Sequence, residues 1–248
     1  MSEVVLITGA SAGIGAALGE VLAARGHAIT LVARRAPELH AVAARCGDQA
    51  LPIVADVTQR AEVRRAIDTA IAHFGRVDVI VNNVGRGISR LPSALSDADV
   101  DEMIAVNVKP ALYGMQEILP HFAARGTGQI VNVSSMLGRV PFATIRSAYC
   151  GAKHFLNALT ATFRDELRTS HPGVVVSLVS PGVVYTEFGV NAVHGGPDSR
   201  ALPGGQEPEV VARVIADVIA NKATDVYTIP GSRERVLAYL GAAADAAL

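Results

Sequence analysis

Cysteine, net charge and long apolar runs are what this chain has least of, and each shortage removes a class of protein. Cys46 and Cys150 are too few and too far apart for a disulfide framework, and no Cys/His group has zinc-ligand spacing. Free thiols and no structural metal are expected. A formal net charge of −1, from 22 basic and 23 acidic residues, leaves no basic footprint for nucleic acid or an anionic membrane. The apolar run near the N-terminus is only Val4 to Ile7, and no window of about 18 uncharged apolar residues exists, so neither a leader nor a membrane span is expected. These readings place the protein in the cytoplasm.

What is present suffices for one large core: half of the 248 residues are hydrophobic, and the whole chain reads as a single α/β domain. It is organised around Val4-Val5-Leu6-Ile7-Thr8 running straight into Gly9-Ala10-Ser11-Ala12-Gly13-Ile14-Gly15. Four apolar residues in succession suit a strand covered on both faces. The glycines let backbone N–H groups approach a diphosphate at the positive end of the following helix, expected over about 14–25. A second buried strand at 28–33 completes a βαβ unit of the kind that cradles a dinucleotide.

In NAD-binding units an acid about 20 residues past the glycines holds the ribose 2′-hydroxyl. That place holds Ala33 here, followed by Arg34 and Arg35. The missing carboxylate and the two guanidiniums point to the 2′-phosphate of NADP(H), which arginine grips with bidentate hydrogen bonds. The alternative is a solvated arginine pair opening the next helix.

Further helices are expected at about 37–45, 61–74, 98–122, 149–170 and 208–221, with strands at 51–54, 77–82, 128–133, 174–179 and 225–229. The 208–221 helix carries Val210, Val211, Val214, Ile215, Val218 and Ile219 as its apolar face. Asn107 falls inside the 98–122 helix, where its propensity is mildly unfavourable, so it has a task beyond helix formation. The 128–133 strand ends in Ser134 and Ser135, at the end where doubly wound sheets bind ligands. Tyr149 and Lys153, four apart, share one helical face. Pro181 and Gly182 follow the 174–179 strand, with Val184 and Thr186 just beyond.

In this order, the glycine turn, Asn107, the serine pair, Tyr-x-x-x-Lys and Pro-Gly make the sequence resemble the short-chain dehydrogenase/reductase family over about residues 4–229. The resemblance implies a doubly wound Rossmann α/β fold, with a mostly parallel seven-stranded sheet and helices on both faces. It implies an NADP(H)-dependent enzyme that interconverts a ketone or aldehyde with an alcohol, acting on a small molecule, and a homo-oligomer, dimer or tetramer. Tyr149 would be the general acid/base, Lys153 would favour its ionised form, Ser135 would bind the carbonyl oxygen, and Asn107 would hold a helix kink and a proton-relaying water. The cofactor would lie on Gly9, Ser11, Gly13, Ile14, Gly15, Arg34, Arg35, Asp56, Val57, Asn83, Gly85, Val184 and Thr186, as well as on Tyr149 and Lys153. Asp56 would contact the adenine amine, with capping of the next helix as its alternative role. The Val184 backbone and the Thr186 hydroxyl would orient the nicotinamide.

Three departures from the family stand out. Val84 replaces the usual alanine of Asn-Asn-Ala-Gly, and the alanine-rich tail at 232–248 weakens the expectation that the C-terminus sits in a tetramer contact. The family's serine usually precedes the tyrosine by 13 positions, which here lands on Met136; the Ser135-x-x-Gly138 pattern then favours Ser135 over Ser134. Residues 187–206, rich in Gly and Pro, read as a mobile lid over the substrate. The lid has no cluster of basic residues, which disfavours highly charged substrates unless Arg86, Arg90, Arg139, Arg146 or Arg200 points inward. A catalytically silent cofactor-binding sensor, or an isomerase or dehydratase of the same superfamily, are the competing readings.

Overall fold

The computed structural model describes residues 2–245. Seven strands form one sheet: β1 (Val4–Thr8), β2 (Ala28–Ala33), β3 (Ala50–Val54), β4 (Val79–Asn82), β5 (Gly128–Val133), β6 (Val174–Ser180) and β7 (Asp225–Tyr227). They pair in parallel throughout, in the order β3-β2-β1-β4-β5-β6-β7. The order reverses between β1 and β4, which opens a crevice at the carboxyl ends of the strands. This is the doubly wound Rossmann fold.

The run of apolar residues in each central strand is two interleaved sets, because successive side chains face opposite sides of a sheet. Val5 and Ile7 of β1, with Ile29, Leu31, Val79 and Val81, meet the helices α1 (Gly13–Ala24), α2 (Ala36–Cys46) and α7 (Pro208–Asn221). Val4 and Leu6, with Val32, Ile80 and Ile130, meet α3 (Arg60–Phe74), α5 (Lys109–Arg125) and α6 (Ser147–Ser170). A strand sandwiched this way needs apolar residues at every position, which is why β1 has no polar face.

Three expectations are corrected. The helix read at 98–122 is two helices, α4 (Asp97–Asn107) and α5, broken at Val108. Pro110 explains the break, since it has no N–H to bond the carbonyl four residues back and its ring crowds that carbonyl. On α7 the buried face is Val211, Ala212, Ile215, Ala216, Val218 and Ile219, while Val210 is exposed. Ala212 and Ala216 belong to that buried stripe, which packs beside α1, and Val210 lies outside it.

β7 stops at Tyr227 rather than 229, because Thr228 turns to bond Gln206, its Oγ1 donating to Oε1 while Gln206 Nε2 donates to the Thr228 carbonyl. The tail is helical as α8 (Ser232–Asp245), beside β7; residues 246–248 of that expectation lie outside the described residues. The two margins of the sheet are β3, with Pro52 at its centre, and the three-residue β7. Among the described residues, no helix is long and apolar enough to cross a membrane.

Candidate active site

The glycine turn joins β1 to α1 at the strand-order reversal, and its glycines answer to space. A Cβ on Gly15 would stand 2.4 Å from the Gly9 carbonyl oxygen, and one on Gly13 would stand 3.1 Å from Thr186 Cγ2. Gly9 and Gly13 also have φ of +69° and +55°, a region that side chains disfavour. No side chain caps α1, and its first turn has no acid, so its leading N–H groups are left for an anion. These features fit a dinucleotide's diphosphate.

Asn83 fastens the turn to the next strand: its Nδ2 donates to the carbonyls of Thr8 and Gly9, and its N–H donates to Thr8 Oγ1. Val84 packs against Gly9, where a Cβ would be 3.2 Å from its Cγ2. Beyond β2, Arg35 donates to Ser11 Oγ from Nε and Nη2 and pairs with Glu38, so it closes one rim of the cradle. Arg34 is exposed and has no ion pair or hydrogen bond among the described residues. Asp56 does not cap α3, whose N-cap is Gln59; its Oδ1 instead closes a turn by accepting from both Thr58 N and Thr58 Oγ1, and Val57 is buried beside it. Ile14 packs half-buried on the α1 side of the core.

At the carboxyl end of β5, Ser134 and Ser135 face different ways. Ser134 donates to Asn157 Oδ1 on α6, and Asn157 Nδ2 donates to the Gly138 carbonyl at 2.6 Å. Ser135 Oγ accepts from Leu137 N at 3.1 Å, and its hydrogen bonding with the Tyr149 phenol lowers that group's pKa. Gly138 passes so close to α6 that a Cβ would be 2.9 Å from the Lys153 backbone oxygen, which gives the Ser-x-x-Gly pattern its reason.

Tyr149 and Lys153 are both buried on α6. Burial pushes the Tyr149 phenol up to about 12, against the Ser135 hydrogen bond and the charge of Arg146. Burial also pushes the Lys153 ammonium down to about 8. Lys153 Nζ does not bond the phenol; it donates to the Val133 carbonyl at 3.0 Å and lies 5.8 Å from the centre of the Tyr149 ring. One helical turn brings the two stems together, but the long lysine chain reaches on to the strand end. Gly85 separates Lys153 from Asn107, its Cβ position 3.4 Å from Nζ and 3.0 Å from Asn107 Oδ1. The Asn107 amide clasps the residue after Gly85, accepting from Arg86 N and donating to Arg86 O.

The Lys153 value has a consequence for stability. Between about pH 8 and its ordinary 10.5 the unfolded chain binds the proton and the folded chain does not, so stability rises with pH across that window. Lys153→Met should therefore stabilise the cofactor-free protein near pH 7 by about 3 kcal/mol, since each pKa unit is about 1.4 kcal/mol, and the gain should vanish by about pH 10.5. Urea unfolding at both pH values measures this; equal stabilities at pH 7 would show that the buried ammonium carries no penalty.

Over these groups lies the segment 187–206. Phe188 meets the Tyr149 ring edge-on at 5.4 Å, Ile88 bridges to Val193, and Val184 bridges to Gln206. His194, at φ +63°, is held by Asp99 at 2.7 Å, and Gly189 N donates to Ser199 Oγ. The Ser96 backbone N–H, with His194, Ser96 Oγ and Arg90, holds the Asp99 carboxyl well below the usual range. Thr186 Oγ1 accepts from Phe188 N beside the glycine turn.

Two residues at this site escaped the sequence reading, Asn157 and Phe188, whereas Arg146 was among the five arginines named for the cleft. Asn157 was within reach, because it falls on the Tyr149 helix four positions beyond Lys153. Phe188 had no local signal.

A glycine turn at the reversal of a parallel sheet, with serine, tyrosine and lysine at the same strand ends, defines a Rossmann-type protein of the oxidoreductase class. Residues 3–195 match the family described as short chain dehydrogenase, and the chain belongs to that family. An uncharacterized oxidoreductase of Staphylococcus epidermidis is 32% identical over 225 residues, covering 90% of this chain and 91% of its own length. Among solved structures, an alcohol dehydrogenase from the archaeon Thermococcus sibiricus, complexed with 5-hydroxy-NADP, is 27% identical with a TM-score of 0.79, covering 92% of this chain and 96% of that one. A short-chain dehydrogenase/reductase from Burkholderia phymatum, in complex with NAD, matches in fold with a TM-score of 0.86 at 24% identity, covering 95% and 92%.

Proposed function

We propose that this chain is an NADP(H)-dependent oxidoreductase that interconverts a ketone or aldehyde with an alcohol, with Tyr149 moving the proton. The observation that carries this reading is that Tyr149 and Lys153 are buried together at the carboxyl end of β5, where Lys153 Nζ donates to the Val133 carbonyl and the Ser135 side chain lowers the phenol's pKa, in the crevice of the glycine turn. A nicotinamide held in that crevice would supply or accept a hydride. Hydride arrival at a carbonyl carbon places negative charge on the oxygen, so a proton donor must stand beside it. A phenol with its pKa pushed up to about 12 is protonated at neutral pH, which suits donation in the direction of reduction.

Ser135 is placed to hydrogen-bond the same oxygen as its charge grows. Its Oγ accepts from the Leu137 N–H, which leaves the serine's own proton for another acceptor. The Lys153 ammonium near the phenol favours the ionised tyrosine of the reverse reaction. Asn107, whose side chain is occupied by Arg86, fixes the Gly85 loop against Lys153 and supports the site at one remove. A panel of ketones, aldehydes and alcohols assayed with NADPH or NADP tests the reading. Cofactor binding without turnover of any of them would favour a silent sensor instead.

The preference for NADP(H) rests on Ala33-Arg34-Arg35, and the two arginines contribute differently. Arg35 is already engaged by Ser11 and Glu38, whereas Arg34 has its full fork for a 2′-phosphate. A hydrogen bond to a charged group is worth about 1.5–3 kcal/mol, or roughly ten- to a hundredfold in affinity. Arg34→Ala should weaken NADPH by that factor and leave NADH nearly unchanged in a fluorescence titration. Equal losses for the two cofactors would remove the 2′-phosphate from the arginine's role.

A further inference from the structure

Of the five arginines able to reach the cleft, four are neutralised. Arg86 pairs with Glu102, Arg90 with Asp99, Arg139 with Asp225 and Arg200 with Asp198. Arg146 has no acidic partner among the described residues, although only 8% of it is exposed. One nitrogen, Nη1, donates to the Ile88 carbonyl at 3.0 Å, and the guanidinium carbon lies 6.0 Å from the centre of the Phe188 ring. Its Nε and Nη2 have no protein acceptor among the described residues. Burial works against its charge. A desolvated cation left without an anion weakens the fold, and a ligand that brings the anion restores the balance.

A second group nearby is also unmatched. Ser89 Oγ is buried and has no hydrogen-bond partner among the described residues. A Cβ on Gly196 would stand 2.5 Å from Ser89 Oγ, 2.9 Å from the Gly189 carbonyl oxygen and 3.0 Å from Arg146 Nη2, so hydroxyl and guanidinium both pack against Gly196 of the lid, which must lift for a ligand to reach them. Gly87 holds the opposite side of the fork, with its Cβ position 2.7 Å from Nη1. The Phe188 ring, near the Gly87 side of the fork, lies 6.0 Å from the guanidinium carbon and 5.4 Å from the Tyr149 ring, so it neighbours both the cation and the phenol.

We propose that Arg146 and Ser89 bind the carboxylate of an oxo acid, or of the matching hydroxy acid, while its carbonyl or alcohol lies at Ser135 and Tyr149. The proposal rests on the reaction proposed above. The planar fork matches a carboxylate's two oxygens. One guanidinium balances one negative charge; a phosphate monoester, with nearly two, finds no second unpaired arginine among these five. Phe188 must swing aside for the acid to span the two groups, and the lid that carries it then closes on the anion.

The test pairs short- and medium-chain oxo acids with their methyl esters, which keep the carbonyl and remove the charge. Wild type with NADPH should favour acid over ester by about ten- to a hundredfold in kcat/KM, mainly through KM, and Arg146→Gln should bring the ratio to about one. Arg146→Lys should keep part of the preference, and Ser89→Ala should reduce it several-fold; the serine variant also decides the matter if Arg146→Gln does not fold. A wild type that favours the esters, or an Arg146→Gln that lowers both alike, overturns the proposal and makes the arginine a brace for the lid. Calorimetry of acids and esters with NADPH-loaded Tyr149→Phe separates this from a failure of the reaction itself. Tighter binding of the acids supports the carboxylate site even if no carbonyl is turned over, and equal binding rejects it.

Discussion

Tyr149→Phe is expected to lower turnover of every substrate about 10²–10⁴-fold and to leave NADPH binding in place. The size is that of positioned general acid–base help. The substitution removes one oxygen and keeps the ring that packs against Phe188 and among Ile88, Met103 and Val108, so the local core survives. The buried phenol gives the loss a pH signature. Below the wild-type pKa of about 12 the group stays protonated in the cofactor-free chain, so its absence should be felt evenly across neutral pH in the direction of reduction. Single-turnover assays with saturating NADPH measure the step; turnover near that of wild type would dismiss the phenol as proton donor and promote the sensor reading.

Ser135→Ala should cost about 10²–10³-fold in turnover, by analogy with the loss of one oxyanion donor, and Ser134→Ala much less. The two hydroxyls are neighbours in the chain, but extended backbone sends them to opposite sides. Ser135 meets the phenol, and Ser134 is committed to Asn157. Removing Ser134 leaves a half-buried amide oxygen without its donor, a stability loss of about 0.5–1.5 kcal/mol rather than a catalytic one. Comparing kcat and melting temperature for both variants separates the two effects. A larger fall in kcat for Ser134→Ala would reverse the assignment of the pair.

The parallel sheet was legible in the sequence because burial on both faces demands unbroken apolar runs. The strands at 28–33 and 128–133 have the expected limits for that reason. The break at Val108 was harder to see, since Pro110 is also acceptable in the first turn of a helix and the apolar pattern continues through it. Around the site, short-range spacing carried the glycine turn, the serines and the Tyr149–Lys153 pair onto one end of the sheet. Groups that meet through the lid were invisible to it. Phe188 is 39 positions from Tyr149, and no periodicity connects them. Arg146 looked like any loop arginine until the acids that neutralise its counterparts could be counted.

The sheet's two margins bear on how the protein behaves in a crowded solution. A strand with one side unpaired is a template on which another chain can add, and slow parallel pairing leaves such templates open during folding. Here one margin has proline at the centre of a five-residue strand, so a donor is missing from its backbone, and the other is only three residues long with a helix beside it. Neither offers the long, regular edge from which cross-β growth starts, so a chain half apolar in composition is guarded against fibre formation by the two places where its sheet ends.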